Sequence, residues 1–230
     1  MSEDVLAVPT DLNGLRKRAL RAALIWAMVA VTATAAFTCV RLNNFYRDAH
    51  ARGQQRLEIL RDNVEAHFHT IAGLSHALAA QPDMAQFLLH TSVPAIAGTQ
   101  AQQRLRLQSE LLSRDTVQRM STRLEELAHW FHLRQAYIQN TEGTSVADSD
   151  LSPEASTLGA NFAQREYFQQ AMSEGLGFQF VMGRISQKPG FNFSARISDN
   201  GHPLGVLILK TDPTAMQRLF QDTVGRVISI

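Results

Sequence analysis

Apolar and polar positions follow three rhythms along this chain, each in its own stretch. The first is an unbroken apolar run. Ala22 to Val40 reads AALIWAMVAVTATAAFTCV, nineteen positions without a charge. At about 1.5 Å per residue, a helix of that length nearly crosses a hydrocarbon core of about 30 Å. Arg16, Lys17, Arg18 and Arg21 stand before it with no acid among them, and Arg41, Asn43, Asn44 and Arg47 follow. That basic cluster predicts a cytoplasmic N-terminus, with the following chain outside. A cleaved signal peptide ending near Ala33–Ala35 is the alternative, but the apolar run and the segment before it are both long for that role. Residues 1–21 are read as a cytoplasmic tail, aperiodic and disordered over Met1 to Asn13, and 22–40 as a transmembrane helix.

The second rhythm steps by three and four. Leu57, Leu60, Val64, His67, Ile71, Leu74 and Leu78 form an a/d seam with one polar entry. The helix is expected to end near Gln81-Pro82, because proline disfavours helix at the residue before it. Such a seam serves either a dimeric coiled coil or packing on the helix's own domain. Thr91 to Gly98, with Pro94 and Gly98, reads as a loop. A second helix follows, with Val117, Met120, Leu124, Leu127 and Phe131 on one face and Arg104, Arg106, Glu110, Arg114, Glu125 and Glu126 solvated. Residues 41–133 are therefore expected to form a helical stem.

From Arg134 the period shortens to two. Strands are expected at Ala136–Ile138, Ser145–Ala147, Phe178–Met182, Phe191–Ile197 and Leu204–Lys210, with a short helix at Ala163–Met172. Thr141-Glu142-Gly143 and Asp199-Asn200-Gly201 mark turns, the second a strong hairpin signal because Asn-Gly tolerates positive φ. Asp148 to Gly159 reads as a solvated loop, and Thr214–Gln221 begins another helix. The pattern is α+β with a mainly antiparallel sheet over 134–222. Val227 to Ile230 is an apolar, strand-like end.

Composition narrows the function. Lys plus Arg number 22 against 21 Asp plus Glu, a formal net charge of +1, so no basic excess supports nucleic-acid binding. The apolar share of 45% excludes a wholly disordered chain. Cys39 is the single cysteine, which excludes an internal disulfide and a cysteine-based zinc site. His129 and His132 are spaced for one helix face, but no third ligand is evident, so no metal and no cofactor are expected. No GxSxG, HExxH or P-loop pattern is present, and no catalytic residue is assigned.

The stretch Leu158 to Asp212 carries a more specific pattern. It contains Gly159, Arg165-Glu166-Tyr167-Phe168, Gln169-Gln170-Ala171, Gly175, Gly183, Pro189-Gly190-Phe191, Ser194, Gly205-Val206 and Lys210. In order and spacing it resembles the membrane-distal lobe of a double-Cache, PAS-like periplasmic sensor, most closely the C4-dicarboxylate sensor histidine kinases. The resemblance implies an inner-membrane protein with a periplasmic sensor region, a homodimer through the stem helices and a small carboxylate ligand. It also implies that 223–230 starts a truncated, membrane-proximal second lobe, and that a cytoplasmic response regulator is a partner of the full-length protein only. The same input module on a diguanylate cyclase or chemoreceptor, or an anchored helical assembly protein without ligand, are the alternatives.

The resemblance implies that Arg165 and Lys210 supply cations to the ligand. Arginine offers a planar fork for a carboxylate, and lysine a point charge with three donors. Ser194 and Tyr167 are expected to add hydroxyls, with Phe178, Phe191 and Phe193 around the ligand's methylenes. Arg184-Ile185 stands where the family carries Thr-Thr, so Arg184 is either a third positive contact or an obstruction. For each residue a structural role is the competing account: Arg165 pairing with Glu166 or Glu174, Lys210 as an edge charge, the phenylalanines as core.

Overall fold

The computed structural model describes residues 12–94 and 99–214. The first eleven tail residues, part of the 91–98 loop, most of the helix expected over Thr214–Gln221 and the second-lobe strand at Val227–Ile230 lie outside the described residues. The chain divides into two compact units, Met1–Ile59 and Leu60–Ile230.

Helix α1 spans Leu12–Ala79. In the first unit its apolar stretch is open on every side: Trp26 is 74% exposed, and Val31 and Phe37 are similarly bare. A helix that is apolar all round suits a hydrocarbon surround, and this one has the length and composition to cross a bilayer. Its threonines fit that setting. Thr32, Thr34 and Thr38 each donate to a carbonyl one turn back, at 2.8–3.0 Å, so no hydroxyl is left unpaired.

The second unit is a five-stranded antiparallel sheet between two layers. Its strands are β1 (Gln135–Asn140), β2 (Ser145–Asp148), β3 (Leu176–Met182), β4 (Pro189–Asp199) and β5 (His202–Thr211), in the order β2-β1-β5-β4-β3. All five strands expected from the alternation are present. The β4–β5 hairpin turns on Asn200 (φ 47°) and Gly201 (φ 82°), two successive positive φ values that only such residues adopt cheaply.

Strand pleat sends alternate residues to opposite faces. On one face Ala136, Ile138, Phe193, Ala195, Leu207 and Leu209 join Ile71 and Leu78 of α1, Met84 and Leu88 of α2 (Pro82–His90), Leu111 of α3 (Gln100–Leu112) and Leu124 of α4 (Asp115–Trp130) in one core. On the other, Tyr137, Val206 and Ile208 pack with Phe162 and with Tyr167, Phe168 and Ala171 of α5 (Glu166–Glu174). Cover on both faces explains why β5 reads as a continuous apolar run.

α1 ends at Ala79, close to the expected stop at Gln81-Pro82, and Pro82 starts a further helix, α2, where a missing N–H costs nothing. The helical half departs from expectation further on. The helix expected through Phe131 is two helices, broken at Ser113-Arg114, with Arg114 extended as the N-cap of α4 and tied to Glu110 at 2.7 Å. The seam on α1 also divides. Ile71 and Leu78 are buried against the sheet, whereas Leu57 is 67% exposed. Packing on its own domain thus accounts for the distal half of the seam.

Gly205 on β5 faces the carbonyl of Gln139, and a Cβ there would lie 2.1 Å from that oxygen. Gly205→Ala is expected to cost about 1–3 kcal/mol by forcing β1 and β5 apart, read as a lowered urea midpoint.

Candidate functional site

The cavity lies on the α5 face of the sheet. It is lined by Gln135 and Tyr137 of β1, Asn192 of β4, Lys210 of β5, Arg165 and Tyr167 at the start of α5, Thr157 and Phe162 before it, and the turn Gly183–Ser186. Its volume is about 30 Å³, the order needed for one or two waters.

Lys210 is the centre of this face. Its register partners are Gln135 and Asn192, and Asn192 pairs in turn with Gln179, so one polar row crosses four strands. The lysine is 6% exposed. Two glycines make room for it: a Cβ on Gly190 would stand 2.7 Å from its Cε, and one on Gly183 would stand 3.2 Å from its Nζ. Its ammonium donates to Ser186 Oγ at 3.3 Å and has no acidic partner within salt-bridge range among the described residues. Burial, with Arg134 adding, pushes its pKa below the ordinary lysine value.

Arg165 is the N-cap residue of α5, and its Nη2 donates to the Met182 carbonyl at 3.4 Å. Arg184 is exposed, donates to the Asn161 carbonyl at 3.1 Å and lies over the Phe162 ring at 5.7 Å. Tyr167 is buried, and its hydroxyl accepts from Tyr137 Oη at 3.1 Å. Burial raises both phenols above the ordinary value, Tyr137 the more so because Tyr167 stands beside it. Arg165, Tyr167, Arg184 and Lys210 are therefore brought together around one cavity. Among the described residues, no aspartate or glutamate lines it.

Ser194 is placed differently. Its hydroxyl donates to the Tyr167 carbonyl at 2.7 Å, and it stands outside the cavity lining. It pairs with Gly177, where a Cβ would meet both that carbonyl and Ser194 Oγ. Ser194 thus fastens α5 to the sheet. The phenylalanines also fall elsewhere. Phe193 pairs with Leu209, so the pleat turns it away from Lys210. Phe178, Phe191 and Phe193 surround Phe68 of α1 at centroid distances of 5.2–5.3 Å on the other face, and are not a wall for ligand.

The loop from Asp148 is not solvated at its start. Asp148 is fully buried and accepts from Gln135 Nε2 at 2.9 and 3.0 Å, from the Asp150 N–H at 3.0 Å and from Thr157 through its N–H and its hydroxyl. It shapes the cavity floor through Gln135 and Thr157. Desolvation raises its pKa to about 6 against all those donors. Asn192, Tyr137, Gln135 and Asp148 were not marked by the motif pattern. The signal for two of them was polar Gln135 and aromatic Tyr137 alternating with Ala136 and Ile138 on β1.

No protein-family model matches the chain. Over 210 residues, 90% of its length, it is 28% identical to the C4-dicarboxylate transport sensor protein DctB of Rhizobium meliloti. Over 94 residues, 41% of its length, it is 29% identical to the protein of the same name from Pseudomonas aeruginosa. It spans 30% and 15% of those two proteins. The sensor domain of the V. cholerae histidine kinase DctB matches with TM-score 0.61 at 20% identity, covering 76% of this chain and 60% of that one. The ligand-binding domain of the Campylobacter jejuni chemoreceptor Tlp3 with L-norvaline matches with TM-score 0.51 at 16% identity, covering 72% and 59%. The resemblance read from residues 158–212 thus holds over most of the chain, and the fold is that of Cache-type sensor domains.

Asp148 gives a pH prediction. Its folded value lies above its ordinary 3.8, so between those values the folded chain holds a proton that the unfolded chain has released. Its contribution to stability is full below about pH 3.8 and is lost as pH rises through about 6. Relative to Asp148→Asn, the native chain should lose about 3 kcal/mol between pH 4 and pH 7, read from urea midpoints of both proteins.

Proposed function

We propose that this chain is the ligand-sensing part of a membrane-anchored two-component sensor histidine kinase, taking a small carboxylate of the C4-dicarboxylate kind between α5 and the sheet. One observation carries this reading: three cations and no acid converge on one cavity of a Cache-type fold. A dianion supplies what the buried lysine lacks. Its two carboxylates suit the guanidinium fork of Arg165 at the helix start and the ammonium of Lys210 on the sheet. The cavity is too narrow for four carbons, so binding requires the 183–188 turn, which carries Arg184 and Ser186, to move outward. Similarity to the DctB sensors over 90% of the chain favours a kinase input over a chemoreceptor input.

The apolar stretch of α1 anchors the protein in the inner membrane, with residues after it in the periplasm, as the basic residues before it indicate. The exposed seam residue Leu57 supports a dimer through the stem. We assign no catalysis to residues 12–214. Phosphotransfer, and a cytoplasmic response regulator as partner, belong to the part of the relatives that this chain does not span.

Titration of the full chain in nanodiscs with succinate, fumarate and malate is expected to raise its melting temperature. Arg165→Ala and Lys210→Met should each abolish that rise. Lys210→Met should also raise the ligand-free stability by about 1–4 kcal/mol, because a buried unpaired cation is removed. A native chain that no dicarboxylate stabilises would refute the proposal.

A further inference from the structure

Asp148 ends β2 inside the domain. Its side chain is fully buried, and two of the residues that hold it, Gln135 and Thr157, line the cavity. Gln135 Nε2 reaches both carboxylate oxygens, at 2.9 and 3.0 Å, and Gln135 is also the register partner of Lys210. It therefore stands between a buried acid and a buried amine. Among the described residues no salt bridge joins the two. The carboxylate also has a way to hold a proton. Thr157 Oγ1 lies 2.6 Å from Asp148 Oδ2 and 2.9 Å from Ser145 Oγ, and in the second contact either oxygen can donate. With Asp148 ionised, the Thr157 hydroxyl donates to it. With Asp148 protonated, the carboxyl O–H donates to Thr157 Oγ1 and the Thr157 proton turns to Ser145. No heavy atom has to move.

The titratable and charged groups that face Asp148 are Tyr137, its register partner on β1, Lys210 on β5, and Asp150 in its own loop, whose carboxylate takes the Ser152 hydroxyl at 2.6 Å. Helix α4 turns the Ser121 hydroxyl to the Asp148 N–H, and α3 meets the loop through Arg104 on the Ser156 carbonyl. We propose that a proton is a second ligand of this domain: Asp148 takes it up when an anion settles beside Lys210, so that carboxylate and acidity are sensed together. This rests on the carboxylate reading above and adds its regulation. An anion at Lys210 brings negative charge to the other side of Gln135 and makes an ionised Asp148 harder to hold. The proton in turn removes a charge that repels the anion. The coupling is reciprocal, so affinity for a carboxylate rises as pH falls. Asp148 stands in the right range for this, since burial outweighs its donors and holds its folded value at about 6.

Calorimetric titration of the full chain in nanodiscs with fumarate, succinate and malate, in buffers of different ionisation enthalpy, counts the protons taken up on binding. At about pH 6 the native chain is expected to take up a fraction of a proton more than Asp148→Asn for each ligand bound. Its affinity relative to that variant should rise roughly threefold to tenfold from about pH 7.5 to about pH 5.5. The ligand's own ionisation is common to both proteins and cancels in the comparison. If Asp148→Asn does not fold, Thr157→Val, which removes the reversible hydroxyl, takes its place and should likewise lessen the uptake. Binding with the same proton uptake and the same pH dependence in native and variant chains overturns the inference and leaves the carboxylate reading standing. If none of the three ligands binds at either pH, the carboxylate reading falls and this inference with it.

Discussion

A lysine ammonium held on the central strand of a sheet covered on both faces is the constraint that organises this domain. Lys210 is nearly sealed and has no acid within salt-bridge range among the described residues, and its neighbours bear its mark. Gly183 and Gly190 leave space along its stem, Ser186 takes one donor, and Gln135 and Asn192 flank it in register. A cation in that position lowers the stability of the empty domain. It persists where another requirement offsets the cost, which is the part the proposed carboxylate ligand takes.

The sheet separates this requirement from the task of folding. One face carries the large apolar core with the distal part of α1 and helices α2 to α4. The other carries α5 and the polar row. α5 is attached by Ser194 to the carbonyl of Tyr167 and fitted over Gly177, which fixes where Arg165 starts the helix. Asp148 performs the same service on the β1–β2 side, gathering Gln135 and Thr157 into a rigid floor. The cation set is thus positioned by hydrogen bonds that no ligand has to make.

The strands were legible because their signals are local. Period-two alternation and Asn200-Gly201 require nothing from distant parts of the chain. The apolar run of α1 was legible for the same reason. What escaped depended on long-range partners. Asp148 sits in a Ser- and Asp-rich stretch that looks solvated until Gln135 and Thr157 close around it. Pro82 signals an end to α1 and equally the first turn of α2, and sequence alone does not separate the two. The alternation of Phe191 and Phe193 with Asn192 and Ser194 showed two faces, but not which faced the cations. Only the pairing of Asn192, and not Phe193, with Lys210 decides that. Arg165, Tyr167, Arg184 and Lys210 were named from the motif and do share a cavity, whereas Ser194 serves the scaffold.

The ring cluster on the far face has a mechanical consequence. Phe68 of α1 is gripped by Phe178 of β3 and by Phe191 and Phe193 of β4. The turn joining those two strands is the wall that bears Arg184 and Ser186. Cavity wall and aromatic socket are therefore opposite sides of one hairpin. A change in the wall thus bears on the strands that hold Phe68, and any coupling between wall and socket acts equally in both directions.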